Sequence, residues 1–76
     1  MEQKLIDVFR EALEIDATRS ITLDDSIQSF PEWSSLTQLS LIAALDEEFG
    51  VIIEMRVLEK LETLADLLNE IKKRRS

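Results

Sequence analysis

Two adjacent serines, Ser34 and Ser35, open a segment with helical spacing, and their hydroxyls are the groups most suited to chemistry. Serine is a preferred helix N-cap, and Ser35 with Gln38 fits an S-x-x-Q capping box, so local pattern alone favours a capping role. One cap needs only one hydroxyl, however. If Ser34 caps the helix, the Ser35 hydroxyl is left free at the first turn, where the helix dipole favours a bound phosphate ester.

The sequence lacks the residues that most enzyme active sites need. It contains no cysteine and no histidine, which removes thiolate chemistry, the usual general base near neutral pH and the commonest metal ligands. The acidic pairs Asp24-Asp25 and Glu47-Glu48 lack the spacing of a calcium loop and are better explained as solvated surface. We therefore predict no catalytic residue, no metal site and no enzymatic activity.

Charge and length restrict the partners. The 76 residues carry 16 acidic and 9 basic side chains, a net charge of -7, and 45% of them are hydrophobic. This composition predicts a single globular domain over residues 1–76, expected to be monomeric. An acidic surface repels phosphate backbones and anionic lipids, so we expect no nucleic acid and no membrane partner. The opening Met-Glu-Gln-Lys lacks the apolar core of a signal peptide, which favours a cytoplasmic location.

The apolar spacing predicts an all-α fold, a small bundle of three main helices plus one short helix. One glycine and one proline leave too few turn signals for a β-protein. We predict helices over residues 2–15, 35–49 and 54–61, and a last helix capped by Thr63 with Asp66 as its capping-box acid. Residues 16–34 are predicted to form a long loop between the first and second helices, anchored by its large apolar side chains.

The second predicted helix has two different apolar faces. Leu41, Leu45 and Phe49 form one stripe, which we assign to the core, with Gln38 and Ile42 beside it. The opposite face carries a second apolar strip, formed by Leu36, Leu39 and Ala43, which we expect to be exposed beside the acids Asp46 and Glu47. An apolar strip among acids is typical of a surface that recognises partner proteins.

The order of these features resembles the acyl carrier protein family. Trp33-Ser34-Ser35-Leu36, followed by the run from Leu41 to Val51, is similar to the start and end of that family's second helix. The resemblance extends over nearly the whole chain. It implies that Ser35 carries 4′-phosphopantetheine, attached covalently from coenzyme A by a phosphopantetheinyl transferase. It also implies that the protein carries acyl groups as thioesters between the acyl-activating and acyl-transferring enzymes of its pathway. Partner recognition is then expected of Ser34, Leu36, Leu39, Ala43, Asp46 and Glu47.

Three positions differ from the carriers of fatty acid synthesis in that family. Ser34 stands where the family usually has aspartate, and Thr37 and Ser40 stand where those carriers usually have acids. A tryptophan two residues before Ser35, here Trp33, resembles the pattern of stand-alone carriers of specialised pathways. We therefore predict a discrete carrier for a specialised pathway rather than for bulk fatty acid synthesis. Two alternatives stay open, a peptidyl or aminoacyl carrier and a helical interaction module that is never modified.

Overall fold

The computed structural model describes residues 1–75, and these form a bundle of four α-helices. In chain order the elements are α1 (Glu2–Leu13), a single 3-10 turn (Ile27–Ser29), α2 (Ser35–Phe49), α3 (Met55–Leu58) and α4 (Leu64–Arg75). Within residues 1–75 there is no β-strand, and β-type pairing is limited to an isolated bridge between Ser26 and Thr63. The predicted all-α fold, with three long helices and one short one, is confirmed.

Helix α1 ends two residues earlier than predicted. Glu14 adopts a left-handed conformation with φ of 54°, and its N–H turns back to the carbonyls of the last helical turn. The Ile15 N–H then bonds to the Arg10 carbonyl at 2.9 Å. This closes the helix and returns the Ile15 side chain to the core, where it is buried. Ile15 therefore belongs to the core without belonging to the helix.

The connection between α1 and α2 is long but well anchored. Its buried side chains are Ile15, Ile21, Ile27 and Phe30. The predicted long loop over residues 16–34 is confirmed, and it includes the 3-10 turn. Such turns are common connectors, and this one has the buried Ile27 as its first residue. The anchors show that this loop is part of the hydrophobic core.

Backbone hydrogen bonds tie the same loop to the segment between α3 and α4 and to the first turn of α4. The Ile27 N–H donates to the Glu62 carbonyl at 2.8 Å, and the Ala65 N–H donates to the Leu23 carbonyl at 2.9 Å. At the other end of the loop, the Arg10 guanidinium donates to the carbonyls of Asp16 and Arg19, at 2.7 and 2.8 Å. These bonds satisfy loop groups that neither a helix nor a sheet could pair.

Helix α3 is shorter than the predicted 54–61, and α4 begins as predicted. After Leu58 the Lys60 N–H bonds to the carbonyl three residues earlier, so the α-helical pattern is lost. The Asp66 N–H donates to Thr63 Oγ1 at 3.2 Å, and the Thr63 N–H donates to Asp66 Oδ2 at 3.1 Å. This reciprocal pair is the predicted capping box.

An ion pair between Arg19 and Glu32 holds the last part of the loop. The Arg19 guanidinium bonds to Glu32 Oε2 and also lies 5.8 Å from the centroid of the Phe30 ring. The hydrogen bond from Arg19 is the main reason that the pKa of Glu32 lies below its ordinary value of 4.5. The folded protein therefore protonates Glu32 less readily than the unfolded chain does. The stabilisation that the ionised Glu32 provides is present above pH 4.5 and is lost as the pH falls through the pKa of the folded state.

We predict that Glu32→Gln weakens the acid sensitivity of folding. The wild-type melting temperature should fall more steeply between pH 5 and pH 3 than that of Glu32→Gln, because only the wild type must protonate this paired carboxylate. Thermal unfolding followed by circular dichroism at several pH values measures both slopes. Glu11→Gln, an exposed change of the same charge, is the control and should keep the wild-type slope. Equal slopes for wild type and Glu32→Gln would contradict the role given to the ion pair.

Candidate functional site

The start of α2 is set by a reciprocal bond between Ser34 and Thr37. Ser34 is the N-cap residue in extended conformation, and its Oγ accepts from the Thr37 N–H at 3.2 Å. In return, Thr37 Oγ1 accepts from the Ser34 N–H at 2.9 Å. The box suggested by Ser35 with Gln38 is therefore wrong, since threonine replaces the usual glutamate or glutamine at the third helical position.

Thr37 also connects the cap to the loop in front of it. Its hydroxyl donates to the Glu32 carbonyl at 2.7 Å, so one side chain holds both the helix start and the preceding turn. Glu32 is in turn paired with Arg19. Sequence reasoning missed Thr37, Glu32 and Arg19 in this role. The one available signal was the threonine three residues after a serine, which also fits a capping pattern.

Ser35 is left with a free hydroxyl, as the cap at Ser34 predicts. It is the first residue of α2 and is exposed, and its Oγ makes no hydrogen bond to any of the residues 1–75. The N–H groups of Ser35 and Leu36 belong to the first turn, where a helix offers them no carbonyl partner. An exposed hydroxyl beside unpaired N–H groups is suited to carry a phosphate ester.

Aromatic packing fixes the segment that leads into this site. The Trp33 ring stacks on Phe9 with centroids 6.4 Å apart, and Phe9 meets Phe30 edge to face at 5.2 Å. Phe9 and Phe30 are buried and Trp33 is half-buried. The predicted anchoring role of Trp33 is confirmed, because its ring packs against the hydrophobic core.

The outer face of α2 is apolar and exposed. Leu36 and Leu39 are 74% and 57% exposed, and Ala43, Asp46 and Glu47 are exposed as well. On the inner face Leu41, Leu45 and Phe49 are buried as predicted, together with Gln38. Sequence reasoning missed Ile52, which is 65% exposed in the segment after α2. No periodic pattern marks it, since it lies between elements.

A groove of about 420 Å³ separates α1 from α2. Its apolar lining consists of Val8, Ala12 and Ala44, and Ser40 also lines it. Its acidic side chains are Asp7 and Glu11 of α1, Glu14 at the end of α1, and Glu47 and Glu48 of α2. Lys4 of α1 also lines the groove and lies 3.9 Å from Glu48 Oε1, so charges of both signs face it.

Residues 1–75 contain no group of three or more acidic, histidine or cysteine side chains arranged to hold a metal ion. None of their helices combines the length and the apolar character needed to cross a bilayer.

Comparison with known proteins identifies the class. The chain matches the family model described as a phosphopantetheine attachment site over residues 3–71, and it therefore belongs to that family. No curated protein matches it. The fold is similar to the solution NMR structure of a holo acyl carrier protein from Geobacter metallireducens, with a TM-score of 0.77 and 25% sequence identity. That match covers 95% of this chain and 82% of the other.

These findings confirm three predictions made from the sequence. The family is the phosphopantetheine-bearing acyl carriers, the fold is theirs, and the cofactor is covalent 4′-phosphopantetheine. By family and by fold the chain is a carrier rather than an enzyme. The identity of the modified side chain, the pathway and the individual partners stay predictions.

We predict that the two capping side chains act as one unit. Ser34→Ala should cost about 1 kcal/mol of unfolding free energy, the usual cost of removing a cap. Thr37→Val should cost about as much, because it removes the partner of the Ser34 N–H and of the Glu32 carbonyl. Since both changes break the same reciprocal pair, the double variant should lose less than the sum of the two. Urea unfolding of the four proteins measures this, and strict additivity would show that the two side chains act independently.

Proposed function

We propose that Ser35 is the residue that carries 4′-phosphopantetheine, and that residues 1–76 act as one acyl-carrier domain. The observation that supports this most strongly is the division of labour between the two serines. Ser34 Oγ accepts the Thr37 N–H, whereas Ser35 Oγ is exposed and makes no hydrogen bond to residues 1–75. Modification at Ser34 would break the cap, but modification at Ser35 leaves the helix start intact.

The residues around Ser35 fit the group chemically. The attached phosphodiester carries negative charge, and it would lie at the positive end of the α2 dipole beside the N–H groups of the first turn. When bound, the group supplies a terminal thiol that carries acyl groups as thioesters. The chain contains no cysteine that could compete for those groups.

The transfer is a phosphoryl substitution that the transferase catalyses. Ser35 Oγ forms a bond to the phosphorus nearest pantetheine in coenzyme A, and the pyrophosphate bond breaks. Adenosine 3′,5′-bisphosphate leaves, and the serine proton passes to a base on the transferase. This chain contributes the exposed hydroxyl and a rigid helix start, which places the nucleophile in the same position at every encounter.

We predict that Ser35→Ala abolishes modification and that Ser34→Ala retains it. Each protein is incubated with coenzyme A and a broad-specificity phosphopantetheinyl transferase, and its intact mass is measured. Wild type and Ser34→Ala should each gain one phosphopantetheine group. Ser35→Ala has the same side-chain change as the Ser34→Ala control but removes the hydroxyl outside the cap. A mass gain that survives in Ser35→Ala would sink the assignment.

We further propose that this carrier serves a dedicated set of enzymes rather than bulk fatty acid synthesis. The exposed strip of Leu36, Leu39 and Ala43 supports docking by apolar contact. The acidic side chains of α2 lie only in the half nearer Phe49, whereas the N-cap and the first half carry the neutral Ser34, Thr37 and Ser40. An enzyme whose binding depends on acids along the whole of α2 would therefore lack contacts near Ser35. We expect these partners to meet a monomeric carrier in the cytoplasm.

We predict that adding acids near Ser35 improves turnover by fatty acid synthesis enzymes. Ser34→Asp with Ser40→Glu should raise kcat/KM for the acylated carrier, mainly through faster association at low salt, because both changes extend the acidic surface of α2. Asp can also cap a helix, so α2 should persist in the double variant. The control is a charge-matched double change outside α2, Gln28→Glu with Ser29→Asp, which should not raise turnover.

The prediction would be contradicted if the wild-type carrier already gave the same kcat/KM as a carrier with acids along all of α2.

A separate variant tests the apolar strip. Leu39→Ala should leave the melting temperature nearly unchanged, since the side chain is exposed, while weakening docking to the partner that loads this carrier.

A further inference from the structure

Ser35 lies at the less anchored end of α2. Residues 34–36 are exposed and the first buried residue of the helix is Gln38, whereas Phe49 at the other end is buried. A helix end with few buried apolar side chains opens locally at low cost, because unwinding it exposes little new apolar surface. The position of Ser35 therefore depends on contacts that reach the start of α2 from the loop in front of it.

Arg19 organises the segment that leads to this helix start. Its guanidinium bonds to the Glu32 carboxylate and lies over the ring of Phe30, with 5.8 Å between the guanidinium carbon and the ring centroid. Phe30 is buried, and its carbonyl accepts from the Trp33 N–H at 2.9 Å. Arg19 thus contacts both the side chain of Glu32 and the aromatic residue from which the segment leaves the core.

Hydrogen bonds continue from this ion pair in both directions. Toward α2, the Glu32 carbonyl accepts from the Thr37 hydroxyl at 2.7 Å, and Thr37 exchanges bonds with the N-cap residue Ser34. Toward α1, the Arg19 carbonyl accepts from the Arg10 guanidinium at 2.8 Å. A continuous series of contacts therefore runs from α1 to the residue that precedes the attachment site.

The ion pair acts on position more than on overall stability. Partly exposed ion pairs contribute little to the free energy of unfolding, and Arg19 and Glu32 are both half-buried. Losing the pair leaves the hydrophobic core intact, but it releases the Glu32 side chain and loosens the Glu32 carbonyl from the Thr37 hydroxyl. The main consequence is then greater freedom at the start of α2, where the nucleophile of the modification lies.

We propose that Arg19 and Glu32 are positioning residues for the modification of Ser35, and that they act through Thr37. This inference rests on the proposed attachment at Ser35. The pair takes no part in bond making, and it holds the start of α2 so that Ser35 Oγ meets the phosphorus of coenzyme A in one orientation. Such control matters because a misplacement of about 1 Å can cost roughly 100-fold in rate.

The experiment separates positioning from docking by single-turnover kinetics. Apo wild type and Arg19→Met are mixed with coenzyme A and an excess of a broad-specificity transferase, at a temperature where circular dichroism shows both proteins folded. The rate of mass gain is measured against transferase concentration. Arg19→Met should lower the maximal rate about tenfold. The half-saturating transferase concentration should stay at the wild-type value, because the exposed strip on α2 is unchanged.

Arg74→Met is the matched control. Arg74 also joins an ion pair, with Glu70 at 2.8 Å, and it also makes a second contact, to the Ile52 carbonyl at 3.0 Å. That contact lies beyond the opposite end of α2 from the attachment site. Arg74→Met should therefore keep the wild-type maximal rate.

Further variants assign the effect to the ion pair itself. Arg19→Lys keeps a cation within reach of Glu32 and should recover most of the maximal rate. Glu32→Gln should also lower that rate, and it replaces Arg19→Met if the latter does not fold. The double variant should be no slower than the slower single variant, because both changes break the same pair.

Hydrogen exchange gives a readout that does not depend on the transferase. The Ser34 amide, which donates to Thr37 Oγ1, should exchange faster in Arg19→Met than in wild type. The Leu45 amide in the second half of α2 should exchange at the wild-type rate.

Three results would overturn the inference. These are a wild-type maximal rate in Arg19→Met and Glu32→Gln, an equal loss of rate in Arg74→Met, and a change confined to the half-saturating transferase concentration. In each case a mass gain located on Ser35 leaves the attachment intact. A failure of wild type to gain mass overturns the attachment, and the inference with it.

Discussion

The reciprocal bond between Ser34 and Thr37 is the constraint on which the functional end of this molecule depends. It determines where α2 begins. The Ser34 hydroxyl therefore accepts a backbone hydrogen bond, and the adjacent Ser35 hydroxyl stays free. The same threonine hydroxyl holds the Glu32 carbonyl, and Glu32 is held by Arg19. Because the helix start is tied to the loop in front of it, Ser35 is held in a fixed and exposed position. Such a position suits a residue that an enzyme must bind and modify.

The loop between α1 and α2 makes this arrangement possible in so small a domain. A chain of 76 residues has little apolar surface to bury, and four side chains of this loop enter the core. Backbone bonds join Leu23 to the first turn of α4 and Ile27 to Glu62 just before it, and they hold the loop across the bundle. The bundle thereby leaves the outer face of α2 uncovered, with Leu36 and Leu39 exposed on the side of the helix that the core does not need.

Features that depend on local residue type were predictable from the sequence. The bounds of α2 follow from the cap at Ser34 and from Gly50, whose φ of 68° is cheap for glycine alone. Local residue type left open which of the two serines caps α2, and the structure assigns the cap to Ser34, which leaves the Ser35 hydroxyl free. Features that depend on tertiary context were not predictable. Glu14 has a left-handed conformation, which its residue type does not predict. The ion pair between Arg19 and Glu32 joins residues from different parts of the loop.

The central claim is that this carrier bears its prosthetic group on Ser35. It is tested most directly by the mass of the protein purified from its own host, followed by fragmentation to locate any added group. We expect a population heavier by one 4′-phosphopantetheine, with the added mass on the fragment that contains Ser35 and eliminated from that serine on activation. A protein that is uniformly unmodified in cells containing an active transferase, or one modified at Ser34, would contradict it.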